Sequence, residues 1–530
     1  MKRILYLLAL IVSLIGIGTC FSSAIAQQKN GIPARNNGIK SPATASLAAD
    51  RQGTDVTGEN CFAIIAGKNT TVDGSVLFAH NEDDSGEQML NVYIVPAGTQ
   101  PAVTDGGLKI PASIANGYTD KRGNKKNHVN GKFFWLEFPG MSVADAAMNQ
   151  WGVAIASDGC KSREDKDDFT DGGILYDVRM NVAKYARSAR DAARIIGEAV
   201  EQYGYTGSGR TYSVADPNEG WIVAVVKGRH WVAQRVPDDK VMAIPNYYTI
   251  TKVDLDDKEN FMGSPDIIDY AISRGWYDPH SRQEFNFRLA YADPKSLDSD
   301  GNTKRHKAVI EYITQGNYDY NPFSVEPMFT PAKKMSVQDM INMLSIHFEP
   351  EKPKVIEGAP EKPARGHLDP KHRDGVCTHV TIVSTIFQLR NWMLKETGCI
   401  MWMCPGRPCV EQYVPWYLGM TKVPAGWSRY DDWHEAEQHH FSDAKNMERE
   451  YPDHPYWFFV KRFNQVNQNY IYNMDQIIGR NRSQQIRINA MAKELDGTLP
   501  KKLKKKNRAK TEEELNKFTE DFYKEIIFKK

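Results

Sequence analysis

Short apolar runs separated by polar turns make up most of the chain between residues 61 and 245. The runs 62–65 and 76–79 lie on either side of Asp73-Gly74, a tight-turn dipeptide that predicts a β-hairpin. Similar runs predict further strands at 153–156, 210–216, 220–226, 231–236, 241–245, 378–389 and 398–403.

Two segments carry the spacing of amphipathic helices. Residues 175–203 form the longer one, and Gly204 and Gly207 are predicted to end it. Residues 337–347 form the second, with Ser336 as its N-cap. Runs of strands divided by such helices predict an α+β fold with largely antiparallel sheets.

The composition of the chain changes after about Gly426. Charge-rich helices are predicted at 434–449, 457–479 and 483–495, and the basic run 501–510 is predicted to be a solvated connector. We therefore expect a main domain over residues 61–425 and a helical extension over residues 426–530.

The first 26 residues have the three parts of a secretory signal peptide. Met1-Lys2-Arg3 is basic, residues 4–17 are apolar but too few to span a bilayer, and Ala24-Ile25-Ala26 is a small-x-small cleavage site. We therefore expect a secreted or periplasmic protein without stable membrane insertion. Cys20 leaves a lipoprotein as the alternative, but Thr19 before it is larger than the residue expected there.

Residues 27–60 are polar and contain almost no large apolar side chains, so they cannot bury enough surface to fold alone. A disordered linker and a removable propeptide fit this composition equally. Cys61, at the start of an apolar strand, favours a propeptide that is cut between Asn60 and Cys61. The cut would give Cys61 both a thiol nucleophile and a free α-amino group that can act as its base.

The charge balance and the spacing of cysteines and histidines argue against nucleic-acid binding and zinc binding. The 530 residues carry 67 Lys and Arg against 66 Asp and Glu, so nothing favours a nucleic-acid partner. Cys399, Cys404 and Cys409 could supply one disulfide, but they lack the two-residue gaps of a zinc knuckle. His434 and His439 do not have the spacing of the HExxH zinc motif. We expect no metal and no cofactor.

Several longer segments are shared with a known family. They are CFAIIAGKNTTVDGSVLFAHNEDD, NQWGVAIAS, the strand that ends at Asn246, FRLAYADP with Lys304-Arg305 after it, and WMCPGRPCVEQYVPWYLG. On these motifs the chain resembles the dipeptidase A and secernin family of N-terminal nucleophile hydrolases, which is related to choloylglycine hydrolases and penicillin V acylases. The resemblance spans roughly Cys61 to Met420 and implies a four-layer αββα sandwich, with two antiparallel sheets between helix layers.

The resemblance also implies a role for each matching residue. Cys61 would be the nucleophile, and its α-amino group, with an ordinary pKa of about 7.7–8.0, would be the base. Asp83 would orient that amine, and the side-chain amide of Asn246 would help to form the oxyanion hole. Arg305 would support the nucleophile, with Arg288 as the second choice.

Three more residues are expected to contact the substrate. Ser157 or Asp158 would supply the second oxyanion donor, although the family carries Asn-Glu at these positions. His80 stands where relatives often carry arginine. It can hydrogen-bond a substrate carboxylate or Asp83, but it lacks the fixed guanidinium fork.

The leading hypothesis is a secreted cysteine dipeptidase that takes a small peptide as substrate and forms an acyl-enzyme on Cys61. An acylase on bile-salt or N-acyl conjugates would use the same machinery. Paired charges at the site would indicate dipeptides, whereas a long apolar groove would indicate the acylase. A non-catalytic interaction protein of the same fold would have an uncut chain or an unreactive Cys61. Homo-oligomerisation stays open.

Overall fold

A computed structural model describes residues 60–84, 88–98, 108–142, 146–348, 375–442, 446–468 and 470–528. The predicted signal peptide 1–26, with Cys20, and the predicted propeptide up to residue 59 lie outside this part of the chain. All of these described residues belong to one compact unit, which includes both the sheets and the helices after residue 426. None of the described helices is long and apolar enough to cross a membrane.

Sixteen strands lie in the described ranges. They are β1 (Phe62–Ala66), β2 (Val76–Asp83), β3 (Asn91–Val95), β4 (Tyr118–Thr119), β5 (Lys125–Lys126), β6 (Phe133–Glu137), β7 (Ala146–Asn149), β8 (Ala154–Gly159), β9 (Tyr205–Ala215), β10 (Gly220–Gly228), β11 (Trp231–Val236), β12 (Val241–Ile244), β13 (Phe261–Gly263), β14 (Thr381–Leu389), β15 (Cys399–Pro405) and β16 (Val414–Tyr417).

The same ranges contain fourteen α-helices. They are α1 (Ala112–Ala115), α2 (Asp177–Tyr185), α3 (Ala189–Tyr203), α4 (Ile267–Ser273), α5 (Phe287–Tyr291), α6 (Pro294–Leu297), α7 (Asp300–Thr314), α8 (Val337–Leu344), α9 (Lys395–Gly398), α10 (Trp433–His439), α11 (Met447–Glu450), α12 (Tyr456–Gln468), α13 (Tyr470–Thr498) and α14 (Lys505–Phe528).

Two large antiparallel sheets form the centre of the molecule. One has the strand order β12-β1-β2-β14-β15-β16, and the other has the order β13-β11-β10-β9-β8-β7-β6-β3. Strand β10 shows how they pack: Ile222 and Val226 share a buried cluster with Phe78 of β2, whereas Val223 shares the opposite cluster with Ile196 of α3. This alternation arises because successive strand side chains point to opposite faces.

Helices cover the outer face of each sheet. Helices α2 and α3 pack against β7–β10 of the eight-stranded sheet, and α7 and α8 pack against β12, β2 and β14 of the six-stranded sheet. The predicted α+β class and the four-layer αββα sandwich are therefore confirmed.

The hairpin of β1 and β2 is present as predicted, but the prediction that a tight turn connects its strands is wrong. Phe62 pairs with Asn81 and Ala66 with Leu77, and the connection between the strands is a longer loop that contains a 3₁₀ turn at Lys68–Thr70. A backbone bridge from Thr71 to Met335 holds the loop against another part of the chain. Asp73-Gly74 lies inside this loop, where the left-handed backbone of Gly74 (φ 78°) needs glycine.

The helix predicted over residues 175–203 is two helices, α2 and α3. The chain leaves the helical conformation at Ala186, and the Ser188 side chain then accepts a hydrogen bond from the Asp191 N–H and begins α3. The helix predicted over residues 337–347 is confirmed as α8, because Ser336 and Asp339 form a reciprocal capping box at its start.

Two boundaries in the C-terminal region differ from the prediction. Residues from Lys505 onward continue as α14, because pairs such as Arg508–Glu512 neutralise the basic run along one helix face. Gly479 does not end a helix and lies within α13. Its cost of about 1 kcal/mol relative to alanine is offset by Asn481 and Gln485, which hydrogen-bond the segment before β16.

Of the three cysteines that could have supplied a disulfide, Cys399 and Cys404 are free thiols. Cys399 and Cys404 lie five residues apart on β15, about 16 Å along a strand, so they cannot bond to each other. The sulfur that approaches Cys409 is that of Cys377, at 3.4 Å.

Candidate active site

Cys61 lies immediately before β1, and its side chain is 2% exposed. The β1–β2 register places Cys61 opposite Glu82. The Cys61 thiol donates a hydrogen bond to Glu82 Oε1 at 3.1 Å, and it lies 3.7 Å from the backbone carbonyl oxygen of Asp83.

His80 and Glu82 share one face of β2 because strand side chains alternate. His80 Nε2 lies 3.6 Å from Asp158 Oδ1, which belongs to β8 of the facing sheet. This distance is an ion-pair contact, too long for a hydrogen bond. Both carboxylate oxygens of Asp158 are buried without a hydrogen-bond partner among the described residues. The structure thus brings His80 and Asp158 together beside Cys61.

The Asp83 carboxylate faces a different neighbour. Its Oδ2 accepts a hydrogen bond from the Thr378 hydroxyl, and its Oδ1 is buried with no hydrogen-bond partner in the described ranges. Burial raises the pKa of Asp83 to about 6, although hydrogen bonds from Thr378 and Thr381 oppose the rise. The contact of Asp83 with Cys61 is made by its backbone carbonyl oxygen, 3.7 Å from the Cys61 sulfur.

Arg305, on α7, connects several predicted residues. Its Nη1 donates to the carbonyl oxygens of Asn60 and, at 3.1 Å, Cys61. Its Nη2 donates to the side-chain oxygens of Asn246 at 2.5 Å and Asn302 at 2.6 Å. Asn246 Nδ2 in turn donates to the Gly159 carbonyl at 2.9 Å. The guanidinium therefore holds the predicted cleavage site and Asn246 in one group.

Two other residues that were predicted from the sequence, Arg288 and Ser157, make hydrogen bonds of their own. Arg288 donates to the Val325 carbonyl at 3.2 Å. Ser157 Oγ accepts a hydrogen bond from Arg210 Nη1 at 3.2 Å. Arg210 also donates a hydrogen bond to the Tyr205 hydroxyl at 3.1 Å. Ser157 on β8 is therefore bound to an arginine of the neighbouring strand β9.

Glu82, Arg210 and Thr378 were not predicted as site residues. Strand alternation could have found Glu82, because a strand that presents His80 to the site must present Glu82 as well. The other two carry no such signal. Arg210 reaches the site from β9 and Thr378 from the segment before β14, and only the assembled sheets bring these segments together.

The sequence from residue 60 to residue 443 matches one family, described as peptidase family C69. The chain belongs to peptidase family C69. A probable dipeptidase of Salmonella dublin is 26% identical over 389 residues, 69% of this chain and 82% of that protein. Dipeptidase A of Lactobacillus helveticus is 24% identical over 381 residues, 69% of this chain and 77% of that protein.

Two solved structures show a distant similarity. One is the Caenorhabditis elegans ortholog of N-acylethanolamine-hydrolyzing acid amidase, with 10% identity and a TM-score of 0.26 over 62% of this chain and 92% of that one. The other is a mutant conjugated bile acid hydrolase from Clostridium perfringens, with 11% identity and a TM-score of 0.26 over 65% of this chain and 89% of that one. As a member of family C69, the chain is a cysteine peptidase.

Burial sets the protonation of the C69 peptidase site. Burial, followed by the charges of Glu82, Asp158 and Asp83, raises the pKa of the Cys61 thiol well above its ordinary value. Burial also raises the pKa of Glu82 to about 8. Burial alone lowers the pKa of His80, but the contact with Asp158 outweighs it and the pKa is raised overall. While the Asn60–Cys61 bond is intact, the thiol is therefore protonated at neutral pH.

The buried Glu82 carboxyl is expected to make the uncut chain less stable as the pH rises. Its pKa is about 8 in the folded state against an ordinary 4.5. The folded state keeps a proton that the unfolded state loses between these values. The free energy of unfolding should therefore fall by a few kcal/mol between about pH 5 and pH 8.

Urea unfolding at several pH values tests this expectation. The comparison is a Cys61→Ala chain, which keeps the peptide bond, with and without Glu82→Gln. The Gln variant cannot ionise, so its stability advantage should grow as the pH rises. If the difference in the free energy of unfolding between the two chains stays constant from pH 5 to pH 8, the expectation is contradicted.

Cys61, His80 and Glu82 also form a possible set of metal ligands in the C69 peptidase. Their sulfur, nitrogen and oxygen atoms all lie within 4.8 Å of one another, and Zn²⁺ accepts all three donor types. Tetrahedral coordination needs ligand atoms about 3.5 Å apart. A small movement of these side chains would therefore allow all three atoms to bind one zinc ion. The sequence had predicted no metal site.

Zn²⁺ is expected to inhibit the peptidase reversibly, because a zinc-bound Cys61 sulfur cannot attack a substrate. Initial rates measured with micromolar Zn²⁺, and again after EDTA is added, check this expectation. Mg²⁺ is the control, since it prefers oxygen ligands and should have little effect. Equal inhibition by the two ions, or inhibition that EDTA does not reverse, would count against a thiolate–zinc contact.

Proposed function

We propose that this C69 peptidase is a secreted dipeptidase whose residues 27–60 are removed to expose Cys61 as its N-terminal residue. The observation that carries the proposal is the set of acidic and basic groups near Cys61: the carboxyl groups of Glu82 and Asp158, Arg305, and Arg210, whose charge acts on Glu82. A dipeptide carries one positive and one negative terminus, and such a site complements both.

The reaction proceeds through an acyl-enzyme. The free α-amino group takes the proton of the Cys61 thiol, and the thiolate attacks the peptide carbonyl. The Asn246 amide stabilises the oxyanion, with a donor near Ser157 as the second contact. The ammonium then protonates the leaving amine, and a thioester remains on Cys61. Water, activated by the same amine, hydrolyses the thioester and releases the acid.

Asp158 is the proposed anchor for the substrate's ammonium group. Its carboxylate is buried, and neither oxygen has a hydrogen-bond partner among the described residues. Such a group is costly unless a ligand satisfies it. His80, whose Nε2 lies 3.6 Å from Asp158 Oδ1, helps to orient that carboxylate.

The acylase alternative is supported less well. It requires a long apolar groove beside the nucleophile, whereas the side chains described next to the Cys61 sulfur are polar or charged. An apolar cleft of about 380 Å³ does occur in the protein, but it is lined by residues 424–427, 452–461 and 520–527. None of the residues that contact Cys61 lines that cleft.

A substrate panel tests the proposal. The processed protein is assayed with a dipeptide, its N-acetyl derivative, its C-terminal amide and an N-acyl amide. We expect kcat/KM to be highest for the free dipeptide. A higher value for the N-acyl amide would favour the acylase, and no hydrolysis of any substrate by a chain that begins at Cys61 would favour the interaction protein.

Asp158→Asn should raise the KM for dipeptides about 10- to 100-fold, since a buried charge-assisted hydrogen bond contributes about 1.5–3 kcal/mol. The same substitution should change hydrolysis of the N-acetyl dipeptide much less, because that substrate has no ammonium group. Kinetics of both substrates with both proteins check this expectation. An equal loss for the two substrates would assign Asp158 a structural role.

A further inference from the structure

The peptide bond between Asn60 and Cys61 lies between two groups that can act on it. Arg305 Nη1 donates to the carbonyl oxygen of Asn60, the oxygen of the bond that must break. On the other side, the Cys61 sulfur, which is the attacking atom, lies 3.1 Å from Glu82 Oε1. An electrophilic donor and a carboxylate are thus in place before the cut.

The uncut chain lacks the base that the mature enzyme uses. The nitrogen of Cys61 is an amide until the bond breaks, so it cannot accept the thiol proton. The other ionisable groups nearby have different neighbours: His80 contacts Asp158, and the Asp83 carboxylate accepts a hydrogen bond from Thr378. Among the described side chains, the carboxylate that accepts a hydrogen bond from the Cys61 thiol belongs to Glu82.

We propose that Glu82 is the general base for self-cleavage of the Asn60–Cys61 bond, a role distinct from that of the α-amino group in the mature enzyme. This inference rests on the proposed function only in requiring that Cys61 cuts its own chain. It assigns a catalytic residue for a first, single-turnover reaction that precedes peptide hydrolysis.

The reaction is an N-to-S acyl shift followed by hydrolysis. The Glu82 carboxylate takes the Cys61 thiol proton, and the sulfur bonds to the Asn60 carbonyl carbon. The oxyanion that forms is held by Arg305. The carbon–nitrogen bond then breaks, and the nitrogen of Cys61 takes the proton from Glu82. Water hydrolyses the resulting thioester, which releases the Asn60 carboxylate and restores the thiol.

The test follows the first-order cleavage of the full-length chain made by cell-free translation. Wild type is compared with Glu82→Gln, Glu82→Asp and Cys61→Ala at one fixed pH. Glu284→Gln, which changes an exposed glutamate in the same way, is the matched control. We expect Glu82→Gln to cleave about 100- to 10,000-fold more slowly, the size of general-base contributions. Glu82→Asp should restore part of the rate.

Hydroxylamine separates the two steps, because it cleaves a thioester but not a peptide bond. If Glu82 acts in the acyl shift, hydroxylamine will not restore cleavage of Glu82→Gln. Restoration would overturn the assignment, since the thioester would then form without Glu82. Cleavage of Glu82→Gln at the wild-type rate would overturn it as well. Urea unfolding shows that each variant is folded.

The Cys61→Ala chain distinguishes the two proposals. If it is cut before residue 61 as fast as wild type, another protease does the cutting, and self-processing itself is wrong. If it stays uncut while Glu82→Gln is cut normally, self-processing stands and only the role of Glu82 is wrong.

Discussion

Replacing Cys61 with alanine abolishes peptide hydrolysis and leaves the chain uncut before residue 61: this is the largest effect we expect. In the proposed mechanism the thiol forms the acyl-enzyme, and its removal leaves no nucleophile in either proposed reaction. Removing a catalytic nucleophile typically costs about 10⁶-fold in kcat, so the variant should fall to the detection limit. Hydrolysis of a dipeptide and intact mass of the purified chain measure the two effects.

Cys399→Ala is the matched control for this substitution. Cys399 is also a fully buried thiol, and burial raises its pKa to about 12. It lies opposite Leu389, which pairs with Val76 at the other end of β2 from Asp83. This variant should keep its activity and its processing. Equal loss in both variants would show that a buried thiol matters only for packing.

Arg305→Lys is expected to have the second largest effect, a loss of about 100- to 1,000-fold in the rate of chain cleavage. Arg305 is completely buried and donates to four oxygen atoms, which belong to Asn60, Cys61, Asn246 and Asn302. A lysine keeps the positive charge but loses the planar fork that spans these acceptors. The carbonyl of the bond to be cut then loses its fixed donor.

The same variant should also lower kcat of the processed enzyme, because Arg305 fixes the Asn246 side chain. Time courses of cleavage and steady-state kinetics measure the two losses separately. Lys304→Arg changes the neighbouring, half-exposed side chain and serves as the control. A thermal unfolding curve close to that of wild type shows that Arg305→Lys still folds. Wild-type cleavage by the folded variant would remove Arg305 from the mechanism.

The layered fold was largely determined by local sequence pattern. Alternating apolar residues predicted the strands, and this alternation is what allows β10 to face the other sheet with Ile222 and helix α3 with Val223. Ser336 predicted the start of α8 because a cap acts on residues only three positions away. One error of the prediction was also local. The break between α2 and α3 depends on Ser188, which caps α3 but lies in a segment whose apolar spacing is helical throughout.

At the site, Cys61 and its strand context could be predicted from one segment, because the cysteine, the hairpin and the acidic end of β2 follow one another closely along the chain. Which distant groups meet that cysteine depends on the tertiary fold. Arg305 reaches Asn60 across 245 positions, and Thr378 reaches Asp83 across 295. Such contacts arise from the packing of two sheets and their helix layers, and the order of residues along the chain does not encode them locally.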